Sequence, residues 1–392
     1  MEKDNMALVW VNILHIYQPP HQNKQILERV VHESYEHILF LLGQYPRLNI
    51  TLNISGSLIE LLQAHGFGHI LEGIKDYSQK GRIELLGSAM YHPILPLIPE
   101  AEMMRQIELN TKLLRQTFGD TYSHKGFYVP EMAYSGTVGK AIKSSGFEWI
   151  VLDQLHSREA IDPGIRYAIE DNGLGVVFRD HAISRDFPPE FVEKHFDTLG
   201  SLYLVTAHDG ELYGHWHKDN QGFYQKAFTD PRISFQTVSG YLSTLKREKT
   251  IRVRDISWET TLEDIRQNNP YPLWQDPDNQ IHNALWRFAT KILELVQTQH
   301  SDPSYPKARK YLDRGLASCM WWCASSRQPV PSSPITWNPE EVKKGLAELI
   351  KSVRTLTGLP NAIKKEQEME YNRIVALLQK EHLQKHVNHE KK

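Results

Sequence analysis

The sequence contains little cysteine: Cys319 and Cys323 are the two such residues among 392. This count excludes a small secreted domain built on a disulfide framework, and we interpret both thiols as small buried apolar side chains. The chain also lacks an apolar run of the roughly 20 residues that a membrane-spanning helix needs. Its first residues lack the basic-then-apolar layout of a signal peptide, because Glu2 and Asp4 precede only a short apolar stretch. We therefore expect a cytoplasmic globular protein without a membrane partner.

An excess of charge of one sign is also missing. The 45 lysines and arginines nearly balance the 47 aspartates and glutamates, for a net charge of −2. This balance speaks against nucleic acid as the main partner, since proteins that bind nucleic acid carry a clustered basic surface. The 23 glycines and 21 prolines are close to average usage, which excludes collagen-like and low-complexity classes. The length suggests two or three domains at about 150 residues each, although barrels run longer as one unit.

The first part of the chain alternates short apolar runs with helical patterns. This alternation predicts parallel strand pairing in an α/β layer or barrel. The predicted strands cover residues 7–16, 49–54, 82–87, 126–130, 147–153, 175–180 and 201–208, and residues 251–258 form either an eighth strand or a closing segment. From about residue 279 the pattern is purely helical and includes one helix over 308–324. Because two prolines interrupt the periodicity at 270–272, we place the boundary between the two regions at 268/269.

Polar side chains stand where the predicted strands end. In parallel sheets and barrels the carboxyl ends of the strands carry the chemistry. A random surface would not place polar residues at these ends so regularly. The residues concerned are His15, His92, Glu131, Asp153, Asp180, His208 and Asp209.

Residues 208–217 (HDGELYGHWH) place two acids, three histidines and a tryptophan directly after an apolar strand. Such a cluster costs stability unless it is paired or used. Two carboxylates on one face of a parallel sheet are what cleavage of a glycosidic bond requires. Neighbouring imidazoles and aromatic rings suit a sugar, whose hydroxyls they bond and whose apolar face they stack on. We interpret Glu211, in the same segment, as a structural residue paired with a local cation or backbone donors.

The same segment leaves a metal site open as an alternative. His208, Asp209, His215 and His217 could supply three or four ligands, as in a metal-assisted hydrolase or deacetylase. Their order and spacing match no ligand pattern specifically. We therefore expect neither a metal nor a cofactor.

Five short stretches carry a resemblance to one enzyme family. They are residues 15–20 (HIYQPP), 84–96 (ELLGSAMYHPILP), 126–131 (GFYVPE), 209–215 (DGELYGH) and 257–259 (SWE). In this order they resemble the motifs of glycoside hydrolase family 57, the retaining α-glucan-active enzymes. The resemblance implies an incomplete (β/α)7 barrel with parallel strands over residues 1–268. A C-terminal helical region packed on the barrel would follow over 269–392.

The resemblance also implies roles for individual residues. The family's nucleophile corresponds to Glu131, and its general acid/base corresponds to Asp209. Tyr128 stands where the family usually has tryptophan, which alters the wall of the catalytic subsite. The residues implied in substrate contact are His15, Gln18, His92, Tyr128, His208, His215 and Trp258.

The implied function is a hydrolase or transglycosylase that acts on an α-glucan or an oligosaccharide. An amylase transfers the glycosyl group to water and a 4-α-glucanotransferase transfers it to a sugar hydroxyl. The sequence leaves this choice open. It also leaves open an α-galactosidase on the same scaffold, a metal-dependent carbohydrate deacetylase and a catalytically silent glucan-binding homologue. The fifth motif lacks the glycines of branching-type members, and the oligomeric state is not readable from the sequence.

Overall fold

The computed structural model describes residues 8–199, 201–327 and 336–389, with side chains through Lys385. The strands are β1 (Leu8–Ile16), β2 (Ile50–Ile54), β3 (Ile83–Leu86), β4 (Gly126–Tyr128), β5 (Trp149–Asp153), β6 (Arg166–Ile169), β7 (Gly175–Arg179), β8 (Tyr203–Asp209), β9 (Ile233–Gln236) and β10 (Glu248–Ile251). The helices of the first part are α1 (Lys24–Val30), α2 (Glu36–Gln44), α3 (Gly56–Ala64), α4 (Gly68–Gln79), α5 (Glu100–Phe118), α6 (Gly136–Ser144), α7 (His181–Ser184), α8 (Pro188–His195), α9 (Phe223–Thr229), α10 (Val238–Thr244) and α11 (Leu262–Arg266). The last helices are α12 (Gln280–Gln297), α13 (Tyr305–Gly315), α14 (Cys319–Trp322), α15 (Pro339–Thr355) and α16 (Asn361–His389).

The chain divides into two compact units. The first runs up to Met90 and continues over Leu95–Trp258, and the second combines Tyr91–Ile94 with Glu259–Lys392. The second unit therefore begins ten residues before the boundary expected from the prolines. The short segment Tyr91–Ile94, which includes His92, is grouped with the helical unit and not with the strands that flank it. The division into domains stays a prediction.

The first unit is an α/β barrel. One sheet has the order β3-β2-β1-β8, with β9 also pairing β1, and the other has the order β10-β6-β7-β5-β4. A parallel bridge from Gly87 to Phe127 joins β3 to β4. Between β7 and β8 the backbone bond is from Asp180 N to the Val205 carbonyl at 2.8 Å. Seven parallel strands thus follow one another around a barrel that is incomplete at the β7–β8 seam, as the resemblance predicted.

Residues 251–258 are not an eighth strand, because β10 ends at Ile251. The residues after it bond to loops at the carboxyl ends of other strands. The carbonyl of Ile256 accepts from Tyr134 N at 2.9 Å, and Trp258 N donates to the Glu131 carbonyl at 3.3 Å. The segment closes over the end of the sheet, which is the second of the two expectations. The sequence patterns did not reveal β6 and β9, and β6 pairs antiparallel with β7.

A buried chain of polar side chains lies on the face of the sheet opposite to His15, where Trp10 packs with residues of the surrounding helices. Trp10 Nε1 donates to Thr206 Oγ1 at 2.9 Å, and Thr206 Oγ1 donates to Asn12 Oδ1 at 3.2 Å. Asn12 Nδ2 then donates to Tyr213 Oη at 2.9 Å. Because each member of the chain is hydrogen-bonded, the layer between the sheet and the helices tolerates these groups.

The helical unit differs from expectation in one respect: the predicted helix over 308–324 is two helices, α13 and α14. Gly315 ends α13 where a Cβ would lie 2.6 Å from Leu349 Cδ2. The chain then turns so that Ser318 N donates to the His92 carbonyl at 3.1 Å. A tertiary contact therefore replaces continuation of the helix. Among the described residues, none of the helices is long and apolar enough to cross a membrane.

Candidate active site

Three polar side chains lie side by side at the carboxyl ends of neighbouring barrel strands. His15 on β1 is in register with Asn53 on β2 and with Asp209 on β8. Residues in register on parallel neighbours point to the same face of a sheet. His15 Nδ1 and Asn53 Oδ1 are 2.7 Å apart. The fold thus brings together two predicted site residues, His15 and Asp209, and one that the sequence analysis missed, Asn53.

His15 is neutral and its ring is fixed. Burial lowers its pKa to about 4, although the hydrogen bond with Asn53 favours the charged form. Because an amide oxygen only accepts, His15 donates from Nδ1 and has Nε2 as its acceptor. The ring stacks on Tyr128 of β4 with 4.7 Å between centroids and 9° between planes. Since β2 and β3 separate β1 from β4 in the sheet, this contact crosses the barrel interior.

Glu131 follows β4 in an unusual backbone conformation. Its φ is 55° and its ψ is 17°, the left-handed region that costs a non-glycine residue about 1–2 kcal/mol. Trp258 holds the residue twice, since its backbone N donates to the Glu131 carbonyl at 3.3 Å and its Nε1 donates to Oε2 at 3.1 Å. Strained backbone that its surroundings hold in place is typical of functional sites. The two predicted residues Glu131 and Trp258 are therefore direct neighbours.

Asp209 ends β8, half-buried, beside β1. The next residue is Gly210, where a Cβ would collide with Cγ2 of Ile16. Glycine at this position lets the end of β8 lie against the end of β1. The position of Asp209 beside His15 depends on this close approach.

The two predicted catalytic carboxylates act on the same phenol. The pKa of Tyr128 lies well above its ordinary value, first because of burial and then because of the negative charge of Asp209. Glu131 and Asp153 raise the pKa of Tyr128 as well, and the positive charge of Arg179 lowers it. The phenol therefore stands in the electrostatic field of both Glu131 and Asp209. Tyr128 is thus a common neighbour of the ends of β4 and β8.

Three buried polar atoms around these residues have no hydrogen-bond partner in the part of the chain that the structure describes. They are Asn53 Nδ2, Tyr128 Oη and His208 Nε2. An unpaired buried polar group costs about 1–3 kcal/mol, so such groups call for a ligand or water. Sugar hydroxyls, which both donate and accept, match this mixture of an amide, a phenol and an imidazole.

His208, the residue before Asp209, is also a neutral buried histidine. Burial lowers its pKa to about 4, and the Arg179 charge acts in the same direction. Its Nδ1 lies 3.1 Å from the Asp209 carbonyl oxygen. The ring stacks on Tyr213 with 5.3 Å between centroids and 1° between planes. Tyr213 thus connects His208 to the buried polar chain on the helix-facing side of the sheet.

Gln18 is committed to protein partners. Its Nε2 donates to Glu211 Oε1 at 3.1 Å and to Tyr35 Oη at 3.2 Å. Tyr35 also donates to Glu211 Oε1 at 2.5 Å. Burial raises the pKa of the Glu211 carboxyl to about 7, although these donors stabilise its charged form. The partners of Glu211 thus include neutral side-chain donors, which the sequence did not indicate.

The raised pKa of Glu211 predicts a pH-dependent stability. Below about pH 4.5 the carboxyl is protonated in the folded and unfolded states, and between pH 4.5 and 7 it ionises in the unfolded state alone. The free energy of unfolding of the parent should therefore fall by about 3 kcal/mol over that range, relative to that of Glu211→Gln. Urea unfolding at several pH values measures this difference. The exposed Glu108→Gln is the control, and a Glu211→Gln difference that is constant with pH would contradict the prediction.

His215 and His92 have other partners. His215 Nδ1 lies 2.5 Å from Glu33 Oε2, and this contact holds the pKa of Glu33 below its usual range. His92 belongs to the helical unit, where its Nδ1 is 3.1 Å from Ser318 Oγ. The backbone of His92 has a φ of 57°, a second strained non-glycine residue at a predicted site position. Substrate contact by either histidine stays a prediction.

The proposed metal ligands are not gathered around one point. His215 pairs with Glu33, and His217 stacks on Phe187 with 3.8 Å between ring centroids. Within residues 8–199, 201–327 and 336–389, no group of three or more histidine, cysteine, aspartate or glutamate side chains is arranged to hold a metal ion. The histidines of residues 208–217 thus have separate protein contacts.

The chain is similar in sequence to one known family and to curated proteins. A family model described as "Glycosyl hydrolase family 57" matches residues 3–254. An alpha-amylase of Pyrococcus horikoshii is 26% identical over 258 residues, 59% of this chain and 40% of that protein. A 4-alpha-glucanotransferase of Thermococcus litoralis is 24% identical over 255 residues, 59% of this chain and 38% of that protein. The chain thus spans about 40% of the length of these curated relatives.

Solved structures show the same fold. The crystal structure of the 4-alpha-glucanotransferase from Thermococcus litoralis matches with a TM-score of 0.73 at 18% identity and covers 90% of this chain and 60% of that protein. A branching enzyme from Thermococcus kodakaraensis matches with a TM-score of 0.67 at 14% identity and covers 94% of this chain and 95% of that protein. The fold is therefore shared with solved structures at identities of 14–18%.

Proposed function

The chain belongs to glycosyl hydrolase family 57, and from this premise we propose that it is a retaining glycoside hydrolase or transglycosylase that acts on α-linked glucan. Glu131 is the nucleophile and Asp209 is the general acid/base. The geometry at the strand ends carries the proposal: Tyr128 of β4 stacks on His15, which is in register with Asp209 on β8. Glu131 follows the same strand β4, where the Trp258 indole holds it. Retaining glycosidases use such a pair of carboxylates.

In the first step, Glu131 attacks the anomeric carbon and a carbon–oxygen bond to the carboxylate forms. The bond between that carbon and the leaving sugar breaks, and its electron pair stays with the leaving oxygen. Asp209 gives this oxygen its proton.

In the second step, water or a sugar hydroxyl attacks the same carbon from the opposite side. Asp209, now ionised, takes the proton of the attacking oxygen, and Glu131 leaves as a carboxylate. Two inversions give net retention, and both acids return to their starting states. The acceptor decides between hydrolysis and transfer.

The neutral histidines and unpaired polar atoms support a sugar as the substrate. His15 and His208 stay uncharged because burial lowers the pKa of each to about 4. A neutral imidazole carries no charge, so both rings suit hydroxyl groups better than they suit an anion. The amylase and glucanotransferase relatives favour an α-glucan as that sugar.

Incubation with maltoheptaose and analysis of the products over time tests the proposal. Transfer gives longer and shorter chains together, and hydrolysis gives shorter chains only. Activity should be unchanged by a chelator and absent on acetylated sugars, whereas a metal-dependent deacetylase gives the reverse result. An aryl α-galactoside, tested in parallel, shows whether the enzyme is instead an α-galactosidase. No turnover of maltoheptaose would contradict the proposal.

Replacing Trp258 by phenylalanine should lower kcat/KM about 10- to 100-fold. The change keeps an aromatic ring but removes the indole N–H that donates to Glu131 Oε2 at 3.1 Å. A hydrogen bond to a charged group contributes about 1.5–3 kcal/mol, which corresponds to this loss. Steady-state kinetics on an aryl α-maltoside measures it.

The matched control is Trp286→Phe. That indole donates to the Trp274 carbonyl at 2.8 Å in the helical unit, so the control loses the same kind of bond without touching Glu131. We expect its kcat/KM to equal that of the parent. Equal kcat/KM values for both variants would show that the Trp258 bond to Glu131 does not assist the reaction.

A further inference from the structure

We propose that the buried ion pair of Arg179 and Asp153 positions the nucleophile. Arg179 fixes the Trp258 indole that holds Glu131, and Asp153 balances the charge that Arg179 brings into the site. Neither residue is placed in contact with substrate, so both are positioning residues. The inference rests on the proposed function, because it needs Glu131 and Asp209 to be the working acids.

The pair joins the ends of two adjacent barrel strands. Asp153 on β5 is in register with Arg179 on β7, and Arg179 Nε donates to Asp153 Oδ2 at 2.7 Å. The two side chains are 0% and 3% exposed. Arg179 Nη1 also donates to the Ala207 carbonyl of β8 at 2.7 Å. One guanidinium thus bridges the incomplete seam of the barrel, two residues before Asp209.

The same guanidinium reaches the nucleophile through one aromatic ring. Its Cζ lies 4.7 Å from the centroid of the Trp258 ring, and that indole donates to Glu131 Oε2 at 3.1 Å. A planar guanidinium can stack on a ring and donate from its edges at the same time, whereas a lysine ammonium cannot. The contacts from Asp153 to Glu131 are therefore continuous and require arginine.

Stability alone does not account for this pair. Desolvation of two charges offsets most of their attraction, so a buried ion pair adds little to the free energy of folding. The helical unit holds a comparable pair, Arg309 and Asp313, whose side chains are 3% and 2% exposed at 2.9 Å. That pair lies within α13 of the helical unit and is a matched reference for the burial of two opposite charges.

Other titratable groups face the pair from several elements. His181 of α7 places Nδ1 3.0 Å from both oxygens of Asp153, and His156 lies within the field of the same carboxylate. Although burial opposes it, Arg179 and His181 hold the pKa of Asp153 well below its usual range. On the other side, Arg179 acts on His208 and Tyr128.

The charge balance leads to opposite effects of two single variants. Asp153→Asn leaves the guanidinium unbalanced, which favours the carboxylate forms of Glu131 and Asp209 and lowers the pKa of each. Arg179→Met leaves the Asp153 carboxylate unbalanced, which raises both. A charge within about 4–6 Å of a carboxyl group shifts the pKa of that group by about one unit or more. A purely structural role predicts lost activity without this reversal of sign.

The test is the pH profile of kcat/KM on an aryl α-maltoside, whose two limbs report the essential base and acid of the free enzyme. We expect both limbs to move about one pH unit down in Asp153→Asn and about one unit up in Arg179→Met. The double variant should return the limbs to the parental pH while kcat stays low. Shifts of the same sign, or a shift in only one single variant, would overturn the proposal.

Arg179→Lys separates charge from shape. It keeps the positive charge but loses the stacked fork, so the limbs should stay at the parental pH while kcat falls about 10- to 100-fold, with KM changed much less. A parental kcat in this variant would also overturn the proposal. If Arg179→Met does not fold, Arg179→Lys and Asp153→Asn still decide the question.

Asp313→Asn is the control, because it breaks a buried ion pair of the same kind in the helical unit. It should lower Tm and leave the limbs unchanged. Glu131→Gln distinguishes failure of the proposed function from failure of the positioning role. If this variant is active, the proposed function fails whatever the Arg179 results are. If it is inactive and Arg179→Lys behaves like the parent, only the positioning role fails.

Discussion

Replacing Glu131 by alanine should lower kcat on an α-glucan by about four orders of magnitude or more. The variant loses the atom that forms the bond to the anomeric carbon, and loss of a nucleophile in other hydrolases costs on the order of 10⁴–10⁶ in kcat. The residue is held in place by two hydrogen bonds from Trp258. Steady-state assays on maltoheptaose measure the loss.

Azide should restore turnover of Glu131→Ala on an aryl α-glucoside. The anion enters the space of the missing carboxylate, forms a carbon–nitrogen bond at the anomeric carbon and displaces the phenolate. A single displacement inverts the configuration, so the product is the β-glycosyl azide. Glu108→Ala, an exposed carboxylate on α5, should keep the parental kcat. A folded Glu131→Ala that stays active without azide would contradict the assignment.

Replacing Asp209 by alanine should have an effect that depends on the leaving group. On maltoheptaose the leaving alkoxide needs a proton, so kcat/KM should fall about 10²–10⁴-fold, the range for loss of a general acid. On a dinitrophenyl α-glucoside the phenolate leaves without a proton, and kcat/KM should fall far less. Equal losses on the two substrates would contradict a role for Asp209 as the acid.

The stereochemistry with azide separates the two carboxylates. In Asp209→Ala the covalent intermediate still forms on Glu131, and azide then attacks in place of water, so the product is the α-glycosyl azide. The exposed Asp171→Ala is the control and should behave like the parent. Products of the same configuration from the Glu131 and Asp209 variants would show that the two roles are assigned wrongly.

The polar residues that end apolar strands allowed much of the site to be predicted. Parallel pairing brings the carboxyl ends of strands together, so His15 and Asp209 had to meet once β1 and β8 were neighbours. The seven-stranded barrel was anticipated through the resemblance to a family, since periodicity alone gives parallel pairing without a strand count. The motifs also marked Trp258, whose bond to Glu131 is now visible.

Other features depend on tertiary contacts that have no local signal. Asn53 lies in a buried strand, and only its register with His15 shows that it belongs to the site. Arg179 ends a strand as one polar residue among many, and its importance comes from the ring of Trp258, far along the chain. The helix break after Gly315 is accompanied by the tertiary bond from Ser318 N to the His92 carbonyl, which local helix propensity does not include.

Two predicted contact residues illustrate a different limit. His215 and Gln18 lie in motif segments, but the structure gives each a protein partner, Glu33 for His215 and Glu211 for Gln18. A sequence motif shows which residue is present but not which atoms its side chain contacts. Both residues hold the segments around Asp209 in place, and substrate contact by either remains to be measured.

The most direct test of the account is to trap the covalent intermediate. A 5-fluoro-α-glucosyl fluoride forms the glycosyl-enzyme because fluoride leaves without a proton, and the ring fluorine slows its hydrolysis. Mass spectrometry of the intact protein and of its peptides then locates the sugar. The account predicts one glycosyl group per chain, bound to Glu131 and absent from Glu131→Gln. A folded, glucan-cleaving enzyme that carries no label, or carries it on another residue such as Asp209, would contradict it.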